Sequence, residues 1–243
     1  VKLLAIDAGN SRIKWGSTAG GEWLERGVLP TAHARELRDA LRGLPAPERI
    51  AIANVAGDAV AESIRDALAP FGAQQVWVVG RDAQCGVRSG YAQPAQLGPD
   101  RWAALIGARR LHDGACVVVN AGTTMTVDAL SSDGSFLGGA IVAGYALMKD
   151  ALAQNTARLK LQNGAFSVFP DNTGDAIASG ALNAMTGAIE RMVRYMADAG
   201  EGDALVMLSG GDADVVAPLL RARVQLVDNL VLEGLKCIGA SDV

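Results

Sequence analysis

The hydrophobic and polar positions of this chain fall into an order that is written twice. In the first half, apolar runs and alternation predict strands at residues 2–7, 12–17, 22–29, 49–54 and 75–79, with helices at 32–43, 58–70 and 101–112. In the second half the same signals predict strands at 115–120, 125–130, 135–143, 205–208 and 224–227. Helical periodicity begins at Tyr145, is broken by polar sequence at 163–174 and resumes over 175–199, and shorter helices follow at 213–222 and 229–239. Each half reads as βββαβαβα. Sheets and helices each bury a face against a neighbouring layer, so this order predicts an α/β fold of two lobes, residues 1–113 and 114–243, with a cleft between them. Lobes of that size lie close to the roughly 100 to 150 residues of a common domain.

The repeat is sharpest where the first strand of each half ends. Leu4-Ala5-Ile6-Asp7-Ala8-Gly9-Asn10-Ser11 is echoed by Val117-Val118-Val119-Asn120-Ala121-Gly122-Thr123-Thr124. Each copy is an apolar run closed by a carboxylate or its amide, a small residue, a glycine and two polar side chains. Glycine permits a tight turn and close approach of a ligand, and the adjoining N–H groups and hydroxyls are the donors a phosphate chain requires. Asp-Ala-Gly-Asn-Ser is also good turn chemistry for an ordinary hairpin. The second copy makes phosphate binding the stronger reading. Lys14 adds a cation beside the first turn, whereas the matching position after the second is Val127.

Composition removes several other functions. Half of the residues are hydrophobic, enough to build buried sheets. No apolar run approaches the roughly 20 residues of a membrane span, and the first residues lack a basic-then-apolar secretory pattern, so the expected location is the cytoplasm. A net charge of −4 and the scarcity of basic clusters argue against nucleic acid as a partner. Cys85, Cys116 and Cys237 are far apart in sequence and form no CxxC pair, which points to free thiols rather than a disulfide or zinc site. His33 and His112 lie on predicted helices that carry no cysteine or second histidine, so neither signals a metal ligand or a catalytic triad.

Three further segments join the two turns. They are Tyr91 followed by Gly98-Pro99-Asp100-Arg101; Asn172-Thr173 with Ala176 and Gly180; and Ser209-Gly210-Gly211 after a late strand. In this order and spacing, together with Asp7 to Ser11, Lys14 and Asn120-Ala121-Gly122-Thr123, they resemble the motifs of the type III pantothenate kinases over essentially the whole chain. The resemblance implies a duplicated RNase H-like fold, that of the acetate and sugar kinase, Hsp70 and actin superfamily. It also implies ATP-dependent phosphorylation of pantothenate to 4′-phosphopantothenate, the first step of coenzyme A biosynthesis, by a homodimer.

Residue by residue, the resemblance implies that Asp7 holds Mg²⁺ directly or through water. ATP phosphates would meet Ala8, Gly9, Asn10 and Ser11, continuing through Arg12 and Ile13 to Lys14, with Thr123 from the second turn. Pantothenate would be bound by Tyr91, Gly98, Pro99, Arg101 and Thr173, with Asp100 as substrate contact and catalytic base. Phosphoryl transfer asks of a protein mainly alignment, charge stabilisation and a group to take the hydroxyl proton. Read without the family, Asp100 is a helix cap, Tyr91 a packed loop aromatic, and Thr173 a cap ahead of Asp175. Arg101 suits either a carboxylate or a phosphate. Gly210-Gly211 either admits adenosine or makes a simple strand-to-helix turn. Apolar residues on more than one face of the helices at 145–152 and 175–196 require a partner surface, either the other lobe or a second subunit.

One position departs from the family. Asn120 stands where the family has an aspartate that binds an activating K⁺ or NH₄⁺, which leaves the monovalent-cation requirement in question. Three further functions fit the same residues: another small-molecule kinase of this fold, a non-catalytic transcription-accessory homologue, and a nucleotide-driven switch or filament like actin, for whose insertions the chain is short. Retention of Asp7, Lys14, Asp100 and Thr123 speaks against the second.

Overall fold

The computed structural model describes residues 1–156 and 163–241. The chain divides into two compact units, one made of Val1–Asp113 with Gly134–Phe136 and the segment from Asn229 onward, the other of Gly114–Asp133 and Leu137–Asp228.

In the first unit, β1 (Leu3–Ala8), β2 (Arg12–Ala19) and β3 (Glu22–Pro30) form an antiparallel meander. A 3₁₀ turn (Thr31–Glu36) and the short α1 (Leu37–Ala40) lead to β4 (Arg49–Asn54), and α2 (Asp58–Leu68) leads to β5 (Gln74–Trp77). The sheet order is β3-β2-β1-β4-β5, with β1, β4 and β5 parallel. All six residues of β1 are buried, which is why its sequence is an unbroken apolar run up to Asp7. Leu4, Ile6, Ile13, Ile50, Ile52 and Ile64 form the core beside it.

A hairpin of β6 (Ala83–Gln84) and β7 (Val87–Ser89) then precedes α3 (Pro99–Leu111). The hairpin carries no periodicity because its strands are so short; its sign is the Cys85-Gly86 turn, with φ of 49° and 80°. Helix α3 starts at Pro99, earlier than the apolar pattern indicates, because proline's fixed φ suits a first helical position.

The second unit repeats the design. It holds β8 (Cys116–Ala121), β9 (Thr124–Leu130) and β10 (Ser135–Ala143), then α4 (Tyr145–Asn155) and α5 (Thr173–Asp198). After these come β11 (Leu205–Ser209), the short α6 (Ala213–Val216) and β12 (Val224–Leu226). The order β10-β9-β8-β11-β12 is that of the first sheet, with β8 and β9 antiparallel and β8, β11 and β12 parallel. Val117, Val119, Val127, Ile189, Val206 and Leu208 form its core. The first two residues of β10 instead pair with β7 in the first unit, Phe136 opposite Ser89.

Three readings of the pattern change, the first being the helix predicted at 32–43, which is a 3₁₀ turn (Thr31–Glu36) followed by the four-residue α1. The helix predicted at 213–222 is α6 followed by a 3₁₀ turn (Ala217–Leu219), because Pro218 has no N–H to continue α-helical bonding. The final helix, α7 (Leu230–Ala240), is assigned by element order to the second lobe but packs in the first unit, on α3 and β1. Two glycines make that packing possible. A Cβ at Gly234 would run into the Ala103 carbonyl, and one at Gly107 into the Leu230 carbonyl, so the helices cross at backbone contact.

Candidate active site

The first turn is built from the end of β1. Asp7 is 8% exposed and stands opposite Lys14 in the β1–β2 ladder, the arrangement that puts two side chains on one face. Burial pushes the Asp7 carboxyl from 3.8 up to about 7; the Lys14 charge works against this and the Asp100 charge adds to it. Gly9 N–H donates to the Arg12 carbonyl at 3.0 Å, closing the turn, and the Thr31 hydroxyl donates to the Gly9 carbonyl at 2.7 Å. Asn10, Ser11 and Arg12 are exposed, while Ala8 and Ile13 are buried. The turn thus has an anchored base and a solvent-facing polar crest.

Gly98, Pro99, Asp100 and Arg101 form the start of α3. Gly98 occupies the N-cap, so Asp100 lies within the first turn rather than capping it. Its Oδ1 accepts from the Arg101 N–H at 2.8 Å, and a Cβ at Gly98 would sit 2.7 Å from that oxygen. Arg101 is only 6% exposed; its guanidinium donates to the Tyr91 hydroxyl at 3.0 Å and lies 5.8 Å from the ring centres of both Tyr91 and Phe136. Those rings are themselves 5.3 Å apart. A buried guanidinium held by two aromatic faces is a rigid donor set for a planar anion. Phe136 was missing from the sequence reading, because the start of a strand gives no sign that its side chain meets a loop and a helix N-terminus.

The second turn is anchored differently. Gly122 N–H donates to the Thr124 carbonyl at 3.1 Å, two residues on where Gly9 reaches three. This turn is one residue shorter, so Thr126 rather than Val127 stands opposite Asn120 as Lys14 stands opposite Asp7. A Cβ at Gly144 would meet the Gly122 carbonyl, and one at Gly210, whose φ is 108°, would meet the Ala121 backbone. Backbone packing around this turn is therefore a sufficient reason for both glycines. Thr123 is exposed at the crest. Asn120 is half-buried, with Thr126 and Ser209 as its ladder neighbours.

Thr173 opens α5 but does not cap it; Asn172 does, accepting from the Asp175 N–H at 2.9 Å. Thr173 lines a groove of about 990 Å³ between α4 and α5, together with Leu147, Met148, Leu152 and Ile177. No group of three or more His, Cys, Asp or Glu side chains among the described residues could by itself hold a metal ion.

Two sheets of the same strand order, each with a glycine turn after its first strand, define a duplicated α/β fold. In agreement, a solved structure from Sinorhizobium meliloti provisionally named a 2-dehydro-3-deoxygalactonokinase superposes with a TM-score of 0.61 at 17% identity, over 96% of each chain. The type III pantothenate kinase family model matches residues 3–195. Named type III pantothenate kinases are 48% identical in Aromatoleum aromaticum, over 99% of this chain and 98% of that protein, and 46% identical in Nitrosospira multiformis, over 98% and 90%. The chain belongs to the type III pantothenate kinase family, and its activity is the ATP-dependent phosphorylation of pantothenate in coenzyme A biosynthesis.

Proposed function

We propose that Asp100 is the base of this reaction and that the surroundings of Arg101 bind the pantothenate. The observation that carries this reading is the single cluster at the start of α3, where the buried Arg101 guanidinium is fixed by Tyr91 and Phe136 and Asp100 lies one residue earlier. Pantothenate carries a carboxylate, an amide and hydroxyls. Arg101 and Tyr91 supply oriented donors for its polar groups, with Gly98 and Pro99 in the adjoining backbone, and Asp100 receives the proton of the attacking hydroxyl.

ATP phosphates are assigned to the turn from Asp7 to Lys14. Asn10 and Ser11 donate from the exposed crest, and Lys14 contributes a point charge. The chemistry of Asp7 suits Mg²⁺: a buried carboxylate beside a second carboxylate takes up a proton near neutrality unless a cation neutralises it. With only one such carboxylate at the turn, phosphate oxygens and water would complete the coordination sphere, and the ion's service is to neutralise charge on the transferring phosphoryl group. Asn120 with Thr126 and Ser209 offers only neutral oxygens to a monovalent cation.

We further assign the α4–α5 face to a homodimer contact. Leu147 and Leu152 are exposed there, and Val168 and Phe169 are 71% and 89% exposed. Apolar side chains so open to water favour a second copy. The cytoplasm, where ATP and thiol-preserving conditions coincide, is the compartment this activity implies.

ADP release, coupled to a reporter and measured with and without pantothenate, tests the reading. Pantothenate-dependent release that is lost in Asp100→Asn supports it, and ATP hydrolysis indifferent to pantothenate overturns it. Sedimentation velocity tests the dimer.

A further inference from the structure

The fold brings together two cysteines that lie at opposite ends of the chain. Cys85 occupies the first position of the β6–β7 turn at φ 49°, a conformation that costs an L-residue energy and that asparagine or glycine would adopt more readily. Cys237 lies in the last turn of α7. The two thiols influence each other's titration, and Ser241 lies against both places. Ser241, just beyond α7, donates its hydroxyl to the Cys237 carbonyl at 2.9 Å, and its oxygen lies 3.2 Å from Cys85 Sγ. Both thiols are partly exposed, whereas Cys116 is buried in β8. Cys237 as a whole is raised by Cys85 and by burial, with the charges of Arg110 and Lys236 opposing that rise more weakly. None of these groups takes part in the chemistry assigned to Asp7, Asp100 or Arg101.

We propose that Cys85 and Cys237 form a peroxide-reactive thiol pair, in which Cys85 is the nucleophile and Cys237 the resolving thiol, closing a disulfide between the β6–β7 turn and the end of α7. In the first step the Cys85 thiolate attacks one peroxide oxygen, the O–O bond breaks, and water leaves after protonation, giving a sulfenic acid on Cys85. In the second, Cys237 sulfur attacks Cys85 Sγ, the S–O bond breaks and a second water leaves. The two thiols lose two electrons and the peroxide gains them.

The proton balance of the pair favours this order. The interaction with Cys237 is the largest influence lowering Cys85, to about 6; burial opposes it and Ser241 assists. Cys237 is raised, chiefly by Cys85 and then by burial. One sulfur of the pair is favoured as the attacking thiolate, and once Cys85 is a sulfenic acid its charge no longer holds the proton on Cys237, leaving Arg110 and Lys236 to favour the thiolate that attacks next. The disulfide would tie down a hairpin whose Gln84 accepts from the Trp102 indole at 2.9 Å, on the same helix as Asp100 and Arg101.

The test is peptide mapping by mass spectrometry of the folded protein after a short exposure to a few equivalents of hydrogen peroxide, with and without dimedone. In the wild type the expected product is a Cys85–Cys237 linked peptide, 2 Da lighter than the two thiols and reversed by dithiothreitol. Cys237→Ser should accumulate a dimedone adduct on Cys85, and Cys85→Ser should leave Cys237 unmodified. The wild-type map alone decides the matter if either variant folds poorly. A wild-type map with no linked peptide, or oxidation of Cys116 as fast as Cys85, overturns the proposal.

Discussion

Lys14 stands directly across the β1–β2 ladder from Asp7, yet the Asp7 carboxyl is pushed up to about 7. Desolvation outweighs the one nearby cation. In the unfolded chain the group titrates near 3.8, so between that value and about 7 the folded protein holds the extra proton, and stability falls as pH rises through the window.

Asp7→Asn should therefore be more stable than the wild type, in metal- and nucleotide-free buffer at pH 8, by an amount on the order of a few kcal/mol, and should lose this advantage towards pH 4. Urea midpoints at several pH values measure this. Mg·ATP should flatten the wild-type dependence and not that of the variant; parallel curves for both proteins would remove Asp7 from the nucleotide site.

Asp100→Asn should keep the fold and ATP affinity while lowering kcat by roughly 10²-fold or more, the usual scale for a positioned base. Asparagine keeps an Oδ1 that can accept from the Arg101 N–H, so the substitution should leave the melting temperature nearly unchanged. Wild-type kcat at saturating pantothenate would leave Asp100 a structural role only.

Tyr91→Phe removes the hydroxyl that accepts from Arg101 but keeps the ring packed against Phe136. A hydrogen bond to a charged group contributes about 1.5–3 kcal/mol, so the KM for pantothenate should rise at least about tenfold, with the KM for ATP unchanged. Equal changes in both would mean that Arg101 serves phosphate instead of carboxylate.

The central strands and both glycine turns could be read from the chain because β1 and β8 are covered on both faces, which forces unbroken apolar runs ending at Asp7 and Asn120. Other features depend on contacts between distant segments. The β6–β7 hairpin is too short to show a period, and Phe136 gains its role only by meeting Tyr91 and Arg101. The place of α7 rests on Gly234 meeting Ala103, a contact of two helices far apart in sequence. Widely spaced cysteines concealed the Cys85–Cys237 pair for the same reason.

Asn120 offers the sharpest chain-specific test. It ends β8 and shares its place in the sheet with Thr126 and Ser209, so a monovalent cation beside it would meet amide and hydroxyl oxygens and no carboxylate from these neighbours. At an effective dielectric of about 20, a unit charge at about 4 Å is worth about 4 kcal/mol before desolvation is subtracted. Loss of that charge should weaken cation binding strongly, and activity should need higher K⁺ or NH₄⁺ than in relatives carrying aspartate, or little of either. Titration of activity with KCl and NH₄Cl on a choline background, in the wild type and in Asn120→Asp, separates the cases. The variant should show half-maximal activation at a concentration at least tenfold lower than the wild type. Tight activation of the wild type that the aspartate leaves unchanged would show that Asn120 does not set the requirement.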